Sequence, residues 1–203
     1  MASAPARRTG QPAVASTQPI FYYDLSSPAC YLVAEQIMSA LPQAPEWEPV
    51  LGRRLPTGAG DPQPESTAPG PIERRAAELG LQALRWPPSL AVDSELAMLA
   101  ATYCKRVGRA VAFSLAAFRQ AFAGGRDLAD PNTVLIAAAA CEMHPAAVLR
   151  AVALRSVHQA LRQATDRARS AGVSSLPAIQ VGSLVFEGER EIDRAARALP
   201  RAR

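Results

Sequence analysis

Strand-like segments occur only near the two ends of this 203-residue chain, and about a hundred residues with helical periodicity lie between them. The first end carries Ile20 to Leu25, a β-branched and aromatic run, and a second run from Trp47 to Leu51. The other end carries residues 177–181 and 184–186, joined by Gly182-Ser183, which suits a type II′ hairpin turn. Neither end has enough strands for a core of its own, so we expect the four to form one sheet.

Helix signals fill the rest of the chain. Ser27 can cap a helix whose first residue is Pro28, and the apolar spacing extends it to about Leu41. Prolines and glycines over residues 52–70 predict a long surface loop. Further helices are predicted between Asp93, as the cap, and Gly108, and over 111–123, 131–142 with Asp130 as cap, 145–152, 155–171 and about 189–199.

This order of elements predicts the fold class. A β-α-β unit, a helical block and a β-β-α unit indicate an α/β protein in which helices pack on a four-stranded mixed sheet. That arrangement is a thioredoxin-like fold with an all-helical insertion. We expect residues 1–18 to form a flexible tail, 19–51 and 172–203 the two halves of the thioredoxin-like domain, and 52–171 the loop plus helical insertion.

Composition excludes several classes of protein. Hydrophobic residues make up 49% and charged residues 20%, a globular balance, and no apolar run is long enough to cross a membrane. The net charge of +4 comes from dispersed arginines, which disfavours a nucleic-acid partner. Arg155, Arg162 and Arg169 recur every seven residues and indicate a solvated helix face. Three widely spaced cysteines and an N-terminus without an apolar segment predict a cytoplasmic location.

Two short motifs carry the candidate chemistry. Ser27 lies where the first strand meets the first helix, and the positive end of the helix dipole favours a thiolate there. Pro177 opens a later strand, and a cis bond before it would expose the backbone of Leu176 beside the first motif. Ser27 also has a purely structural explanation, since an N-cap stabilises a helix by about 1 kcal/mol.

The two motifs resemble those of a known family. Residues 21–32 read Phe-Tyr-Tyr-Asp-Leu-Ser-Ser-Pro-Ala-Cys-Tyr-Leu, and residues 172–177 read Gly-Val-Ser-Ser-Leu-Pro, followed by Phe-Glu-Gly at 186–188. Together with the helical middle they resemble the DsbA-like thioredoxin family over about residues 19–200. Within that family the Ser-Pro start is most similar to 2-hydroxychromene-2-carboxylate isomerases and kappa-class glutathione transferases.

The resemblance implies an activity and a cofactor. Ser27 takes the place of the first cysteine of the Cys-x-x-Cys motif of the oxidoreductases, so two-thiol exchange in this motif is not available. The isomerase and transferase branch implies that Ser27 hydrogen-bonds the thiolate of reduced glutathione, or of another low-molecular-weight thiol. Leu176, before Pro177, would pair with the cofactor backbone as an added strand does. Glu189 takes the place of the acidic residue that holds the γ-glutamyl amine, but Arg190 follows it.

The substrate side departs from that branch. Arg53 and Arg54 stand in the loop where the branch carries lysine and asparagine, and they would suit a carboxylate-bearing small molecule. Trp86 is read either as a loop anchor or as a border of the substrate cleft. No metal is expected. Relatives of this kind are often dimers, so a homodimer is allowed, although no feature of the sequence sets the oligomeric state.

Two alternative functions stay open. Cys30 matches the resolving-cysteine position, so one alternative is a monothiol-disulfide oxidoreductase using Cys30. The altered Glu189-Arg190 segment and the missing first cysteine favour the other, a thioredoxin-fold binding protein whose catalytic site is degenerate. Cys30 also has a structural reading as a buried, inert thiol, and Cys104 is expected in the core. Cys141 and His144 have a spacing compatible with a shared metal, but two ligands do not make a site. His158 is read as a boundary residue.

Overall fold

The computed structural model describes residues 18–56, 68–88 and 94–200. Residues 1–17 of the expected tail, the expected cap Asp93 and most of the expected loop over 52–70 lie outside these ranges. The four-stranded mixed sheet predicted from the sequence is confirmed, with strand order β2-β1-β3-β4. Its strands are β1 (Ile20–Tyr23), β2 (Glu46–Pro49), β3 (Ala178–Val181) and β4 (Leu184–Glu187).

The sheet combines parallel and antiparallel pairs. β1 is parallel to β2 and antiparallel to β3, and β3 is antiparallel to β4. A two-residue turn joins β3 to β4, and Gly182 has a φ of 59°, the left-handed value that a type II′ turn requires at its first central residue. The parallel pair needs a crossover connection, which the first helix supplies.

Apart from α2, for which the sequence analysis gave no span, the helices lie close to the predicted spans. Between β2 and β3, no strand interrupts the helices in the part of the chain that the structure describes. The helices are α1 (Pro28–Ala40), α2 (Pro69–Glu78), α3 (Glu95–Arg106), α4 (Ala110–Phe122), α5 (Pro131–Ala139), α6 (Pro145–Val152), α7 (Arg155–Ser170) and α8 (Ile192–Ala198).

Helix ends account for most of the differences from prediction. The expected loop over 52–70 is wrong at both ends, because Gly52–Arg54 forms a 3-10 turn and α2 already begins at Pro69, where a missing amide costs nothing. The helix expected over 131–142 stops at Ala139, and Glu142 adopts a φ of 61° beyond it. The last helix begins as a 3-10 turn over Glu189–Glu191.

Both faces of the sheet are covered. Phe21 and Tyr23 of β1 point to the face that packs on α1 and the helices that follow β2, whereas Tyr22 points to the other face. That second face is covered by Ala164 and Ala168 of α7. Alternate residues of one short strand therefore enter two different clusters, as the period of two along a strand requires. The outer side of α7 exposes Arg155, Arg162 and Arg169.

The helical region packs directly on the strands. The Tyr23 ring lies 5.9 Å from the Phe118 ring of α4, and the Tyr23 hydroxyl shares a hydrogen bond of 2.6 Å with the Ser114 hydroxyl. Trp47 of β2 packs edge-on against Phe21 at 5.0 Å. Sheet and helices thus share one apolar core. Within residues 18–56, 68–88 and 94–200, no helix combines the length and apolarity needed to cross a bilayer.

Candidate functional site

The strand register brings four separate segments to one end of the sheet. Tyr23 lies opposite Pro49, so the parallel strands β1 and β2 both end there. Ala178 lies opposite Tyr22 and opposite Glu187, so β3 begins and β4 ends at the same place. Sequence candidates that are far apart along the chain are therefore carried by segments at this one end: Ser27, Arg53, Arg54, Leu176, Pro177 and Glu189.

Ser27 caps α1 as predicted. Its backbone is extended, with φ −91° and ψ 116°, and its Oγ accepts a hydrogen bond of 3.2 Å from the Cys30 amide. Pro28 occupies the first helical position, and no acidic residue lies in the first turn to oppose an anion. A hydroxyl that accepts one hydrogen bond still has its proton to donate. The half-buried Ser27 hydroxyl can therefore both cap the helix and contact a ligand atom.

Asp24 is a site residue that the sequence analysis missed. The residue is only 3% exposed. Oδ1 accepts hydrogen bonds from the Ser26 amide at 3.0 Å, the Ser26 hydroxyl at 2.9 Å and the Ser94 hydroxyl at 2.8 Å. Oδ2 accepts one from the Gly52 amide at 2.9 Å. An acidic residue at the end of an apolar strand was the signal that could have found it, since buried carboxylates need several hydrogen-bond donors.

Cys30 lies beneath Ser27 and is fully buried. Burial raises the pKa of its thiol to about 12, and the nearby Ser27 side chain and Asp24 backbone offset only part of that effect. Since the thiolate is the nucleophilic form, burial and the raised pKa disfavour a reaction at the Cys30 thiol at neutral pH. The geometry therefore gives the expected catalytic role of Cys30 no support. Cys104 is buried as well, and burial raises its pKa to about 12.

The segment before β3 presents the Leu176 backbone. The Leu176–Pro177 peptide bond is cis, and the Gly188 amide donates a hydrogen bond of 2.8 Å to the Pro177 carbonyl. Within the described part of the chain, neither the amide nor the carbonyl of Leu176 has a hydrogen-bond partner. These two groups are free to pair with an extended backbone laid beside them.

Glu189 is engaged by arginines. Its Oε2 lies 3.2 Å from Arg75 Nε, and its Oε1 lies 3.0 Å from Arg190 Nε. Arg75, on α2, also contacts Glu78 at 3.0 Å. Because a guanidinium faces each oxygen of Glu189, the arrangement does not support the expected role of this carboxylate in binding an ammonium group.

The three expected substrate residues differ in their surroundings. Arg53 forms an ion pair with Glu95 at the start of α3. Arg54 is exposed, and among the described residues its side chain has no hydrogen-bond or ion-pair partner. Trp86 donates a hydrogen bond of 2.6 Å from Nε1 to Glu73 and packs edge-on against Phe122 at 6.4 Å. Trp86 thus anchors the segment after α2, and Arg54 is the available cation.

The histidines and Cys141 have local partners. His144 caps α6 by accepting the Ala146 amide at 3.2 Å, and His158 Nε2 lies 2.9 Å from the Val152 carbonyl oxygen. The Cys141 thiol donates to backbone carbonyls within its own helix region. No group of three His, Cys, Asp or Glu side chains that could hold a metal occurs in the described ranges.

Comparison with known proteins agrees with the observed fold. The model of the DSBA-like thioredoxin domain family matches residues 20–200. No curated protein sequence matches the chain. A solved 2-hydroxychromene-2-carboxylate isomerase is similar in structure, with a TM-score of 0.77 and 15% identity over 89% of this chain and 93% of the isomerase. A probable DsbA oxidoreductase from Streptomyces coelicolor is similar with a TM-score of 0.72 and 17% identity, over 90% and 88% of the two chains.

At these identities the structural likenesses establish the fold. The family match covers both halves of the sheet and the helices between them. It also covers the Ser27 turn, Leu176 and Pro177. The chain therefore belongs to the DSBA-like thioredoxin domain family.

Proposed function

We propose that this chain is a glutathione-dependent isomerase or transferase in which Ser27 stabilises the cofactor thiolate. The observation that carries the proposal is the pairing of β1 with β3, which places the Ser27 cap and the unpaired Leu176 backbone at the same end of the sheet. A 2-hydroxychromene-2-carboxylate isomerase is among the solved structures that share this fold, so the fold is compatible with this reaction class. The buried Cys30 thiol, with its raised pKa, argues against the monothiol oxidoreductase alternative.

The residues present fit the thiol and the main chain of glutathione. The Ser27 hydroxyl suits a sulfur atom, and the Leu176 amide and carbonyl suit a peptide backbone. The γ-glutamyl ammonium group is less well matched, because Glu189 already pairs with Arg75 and Arg190. Another low-molecular-weight thiol with the same peptide-like backbone therefore remains within the proposal.

The mechanism assigns a separate task to each part of the site. A thiolate of the bound cofactor would supply the nucleophile. Ser27 would donate a hydrogen bond to that sulfur while its oxygen still accepts the hydrogen bond from the Cys30 amide, and the N-terminus of α1 would add a favourable field. Asp24 fixes the turn that carries Ser27 through its bonds to Ser26. Arg54 offers a guanidinium to a carboxylate on the small-molecule substrate.

The cellular setting follows from the chemistry. A low-molecular-weight thiol stays reduced in the cytoplasm, so the proposal places the protein there, with a small molecule as its partner and no role for nucleic acid or membrane. A homodimer is compatible with the site, since the proposed contacts all come from one chain.

The test is a calorimetric titration of reduced glutathione into the wild-type protein and two Ser27 variants. Ser27→Ala removes both the cap and the proposed donor. Ser27→Asp keeps the capping acceptor but cannot donate and places a negative charge beside the thiolate. We expect both variants to weaken binding by about tenfold to a hundredfold, because a hydrogen bond to a charged group contributes about 1.5–3 kcal/mol.

A serine at the other end of the same helix gives the control. The Ser39 hydroxyl donates to the Gln36 carbonyl at 2.9 Å on an exposed surface, so Ser39→Ala should bind as the wild type does. Equal affinity of wild type and Ser27→Asp would remove Ser27 from the mechanism. Absence of glutathione binding by the wild type would overturn the proposal and favour a binding protein with a degenerate site.

A further inference from the structure

A four-donor clamp holds the segment that leads to Leu176. We define the Glu187 clamp as the Glu187 carboxylate together with Ser174 and Ser175. Oε1 accepts the Ser174 amide at 2.5 Å and the Ser175 amide at 3.1 Å. Oε2 accepts the Ser174 hydroxyl at 2.7 Å and the Ser175 hydroxyl at 2.9 Å. The last residue of β4 thus binds the two residues immediately before Leu176.

The clamp is built for a charged carboxylate. Glu187 is half-buried, and burial alone raises its pKa, but the hydrogen bonds from Ser174 and Ser175 outweigh burial and bring that pKa below its ordinary value. A carboxylate offers two acceptor oxygens and no donor. A neutral amide in the same place could keep the two backbone amides on its oxygen only if its NH2 group faced the two serine hydroxyls, and it would lose the charge that strengthens all four hydrogen bonds.

The Leu176 backbone is consequently fixed on both sides. The Glu187 clamp holds the residues that precede it, and the Gly188 amide holds the Pro177 carbonyl that follows it at 2.8 Å. Both restraints come from the end of β4, through Glu187 and its neighbour Gly188. The Leu176 amide and carbonyl between them have no partner among the described residues.

We infer that Glu187 is a positioning residue for the thiol ligand: through Ser174 and Ser175 it holds the Leu176 backbone ready to pair with the ligand main chain. The inference rests on the proposed function, because it concerns the same ligand. It assigns Glu187 to main-chain recognition and leaves sulfur recognition to Ser27. The two residues should therefore affect different parts of one ligand.

The experiment uses two ligands and a conservative variant. Reduced glutathione and S-methylglutathione share a main chain, but only the former has a thiol. Both are titrated calorimetrically into the wild type, Glu187→Gln and Ser27→Ala. We expect Glu187→Gln to lower the affinity for both ligands by about tenfold, which corresponds to about 1.4 kcal/mol of binding free energy. Ser27→Ala should lower the affinity for glutathione by at least that factor and should lower the affinity for S-methylglutathione much less.

A second readout separates positioning from general loosening of the site. The pKa of the bound thiol, followed by thiolate ultraviolet absorbance, should be the same in Glu187→Gln and wild type, and raised in Ser27→Ala. The matched control is Glu46→Gln, at the opposite edge of the sheet, where the carboxylate pairs with Lys105 at 2.7 Å. Its affinities for both ligands should equal those of the wild type.

The outcomes distinguish the two proposals. If the wild type binds glutathione and Ser27→Ala weakens it, but Glu187→Gln binds both ligands as the wild type does, the role of Glu187 is overturned and the proposed function stands. A raised thiol pKa in Glu187→Gln would also overturn it. If Glu187→Gln does not fold, the Ser174→Ala, Ser175→Ala double variant keeps the amide donors and takes its place. Failure of the wild type to bind either ligand would overturn both proposals.

Discussion

Ser27 and Cys30 lie three residues apart at the start of α1, and the helix gives their side chains opposite environments. The hydroxyl of Ser27 is half-exposed at the cap, whereas the thiol of Cys30 is fully buried. The Cys30 amide is nevertheless bonded to Ser27. A thiol nucleophile supplied by this pair would have to come from the buried residue, so at the scale of single residues the site favours a thiol brought by a ligand.

The burial of Cys30 predicts its reactivity. With a pKa of about 12 and no exposed surface, native Cys30 should resist iodoacetamide at neutral pH, and its alkylation should follow unfolding of the protein. Mass spectrometry of samples treated with and without guanidinium chloride measures this. Cys141, which is 5% exposed, serves as the internal comparison. Rapid modification of native Cys30 would restore the monothiol oxidoreductase hypothesis.

At the scale of elements, Asp24 links three segments that are distant along the chain. It binds Ser26 before α1, Gly52 after β2 and Ser94 before α3. Arg53, next to Gly52, reaches Glu95, next to Ser94, so a second contact connects the same two segments. These bonds determine where the turn that carries Arg54 lies relative to Ser27.

Loss of the Asp24 carboxylate should therefore destabilise the protein. Asp24→Ala leaves buried donors on Gly52 and Ser94 without an acceptor, and unsatisfied buried groups cost about 1–3 kcal/mol each, so we expect a loss of about 3 kcal/mol. Equilibrium denaturation in urea measures the free energy of unfolding. Asp127→Ala, which removes one exposed bond to the Ala129 amide, should cost only about 0.5 kcal/mol. Similar losses of unfolding free energy in the two variants would show that the hydrogen bonds of Asp24 stabilise the protein no more than the exposed bond of Asp127 does.

Local sequence signals were enough to predict the strands and most helices. They did not predict the contacts between distant segments. Ser27 and Asp130 are caps whose bonds reach only two or three residues along the chain, and both were predicted correctly. The Gly52 and Ser94 donors to Asp24 and the Arg75 side chain that engages Glu189 come from 28 to 114 residues away. No spacing rule connects such residues, so a sequence pattern can identify a candidate residue but not its hydrogen-bond or ion-pair partners.

At the scale of the whole molecule, one core joins the sheet to the helices between its two halves. Trp47 of β2 and Tyr23 of β1 lie in the same buried cluster as Phe118 and Phe122 of α4. The Glu48 carboxylate of β2 adds polar contacts to Lys105 at 2.6 Å and Arg167 at 3.3 Å. Neither part can lose its packing without exposing the apolar surface of the other.

This shared core predicts a single cooperative unfolding transition. In a Trp86→Phe variant, fluorescence reports only Trp47, which is 2% exposed within the sheet, whereas far-ultraviolet circular dichroism reports mainly the helices. We expect the two signals to give the same urea midpoint, since coincident probes are the mark of a two-state transition. Helices that unfold at a lower urea concentration than the Trp47 environment would contradict a shared core and show that residues 52–171 form a separately stable unit. The wild-type circular dichroism curve controls for the effect of the substitution itself.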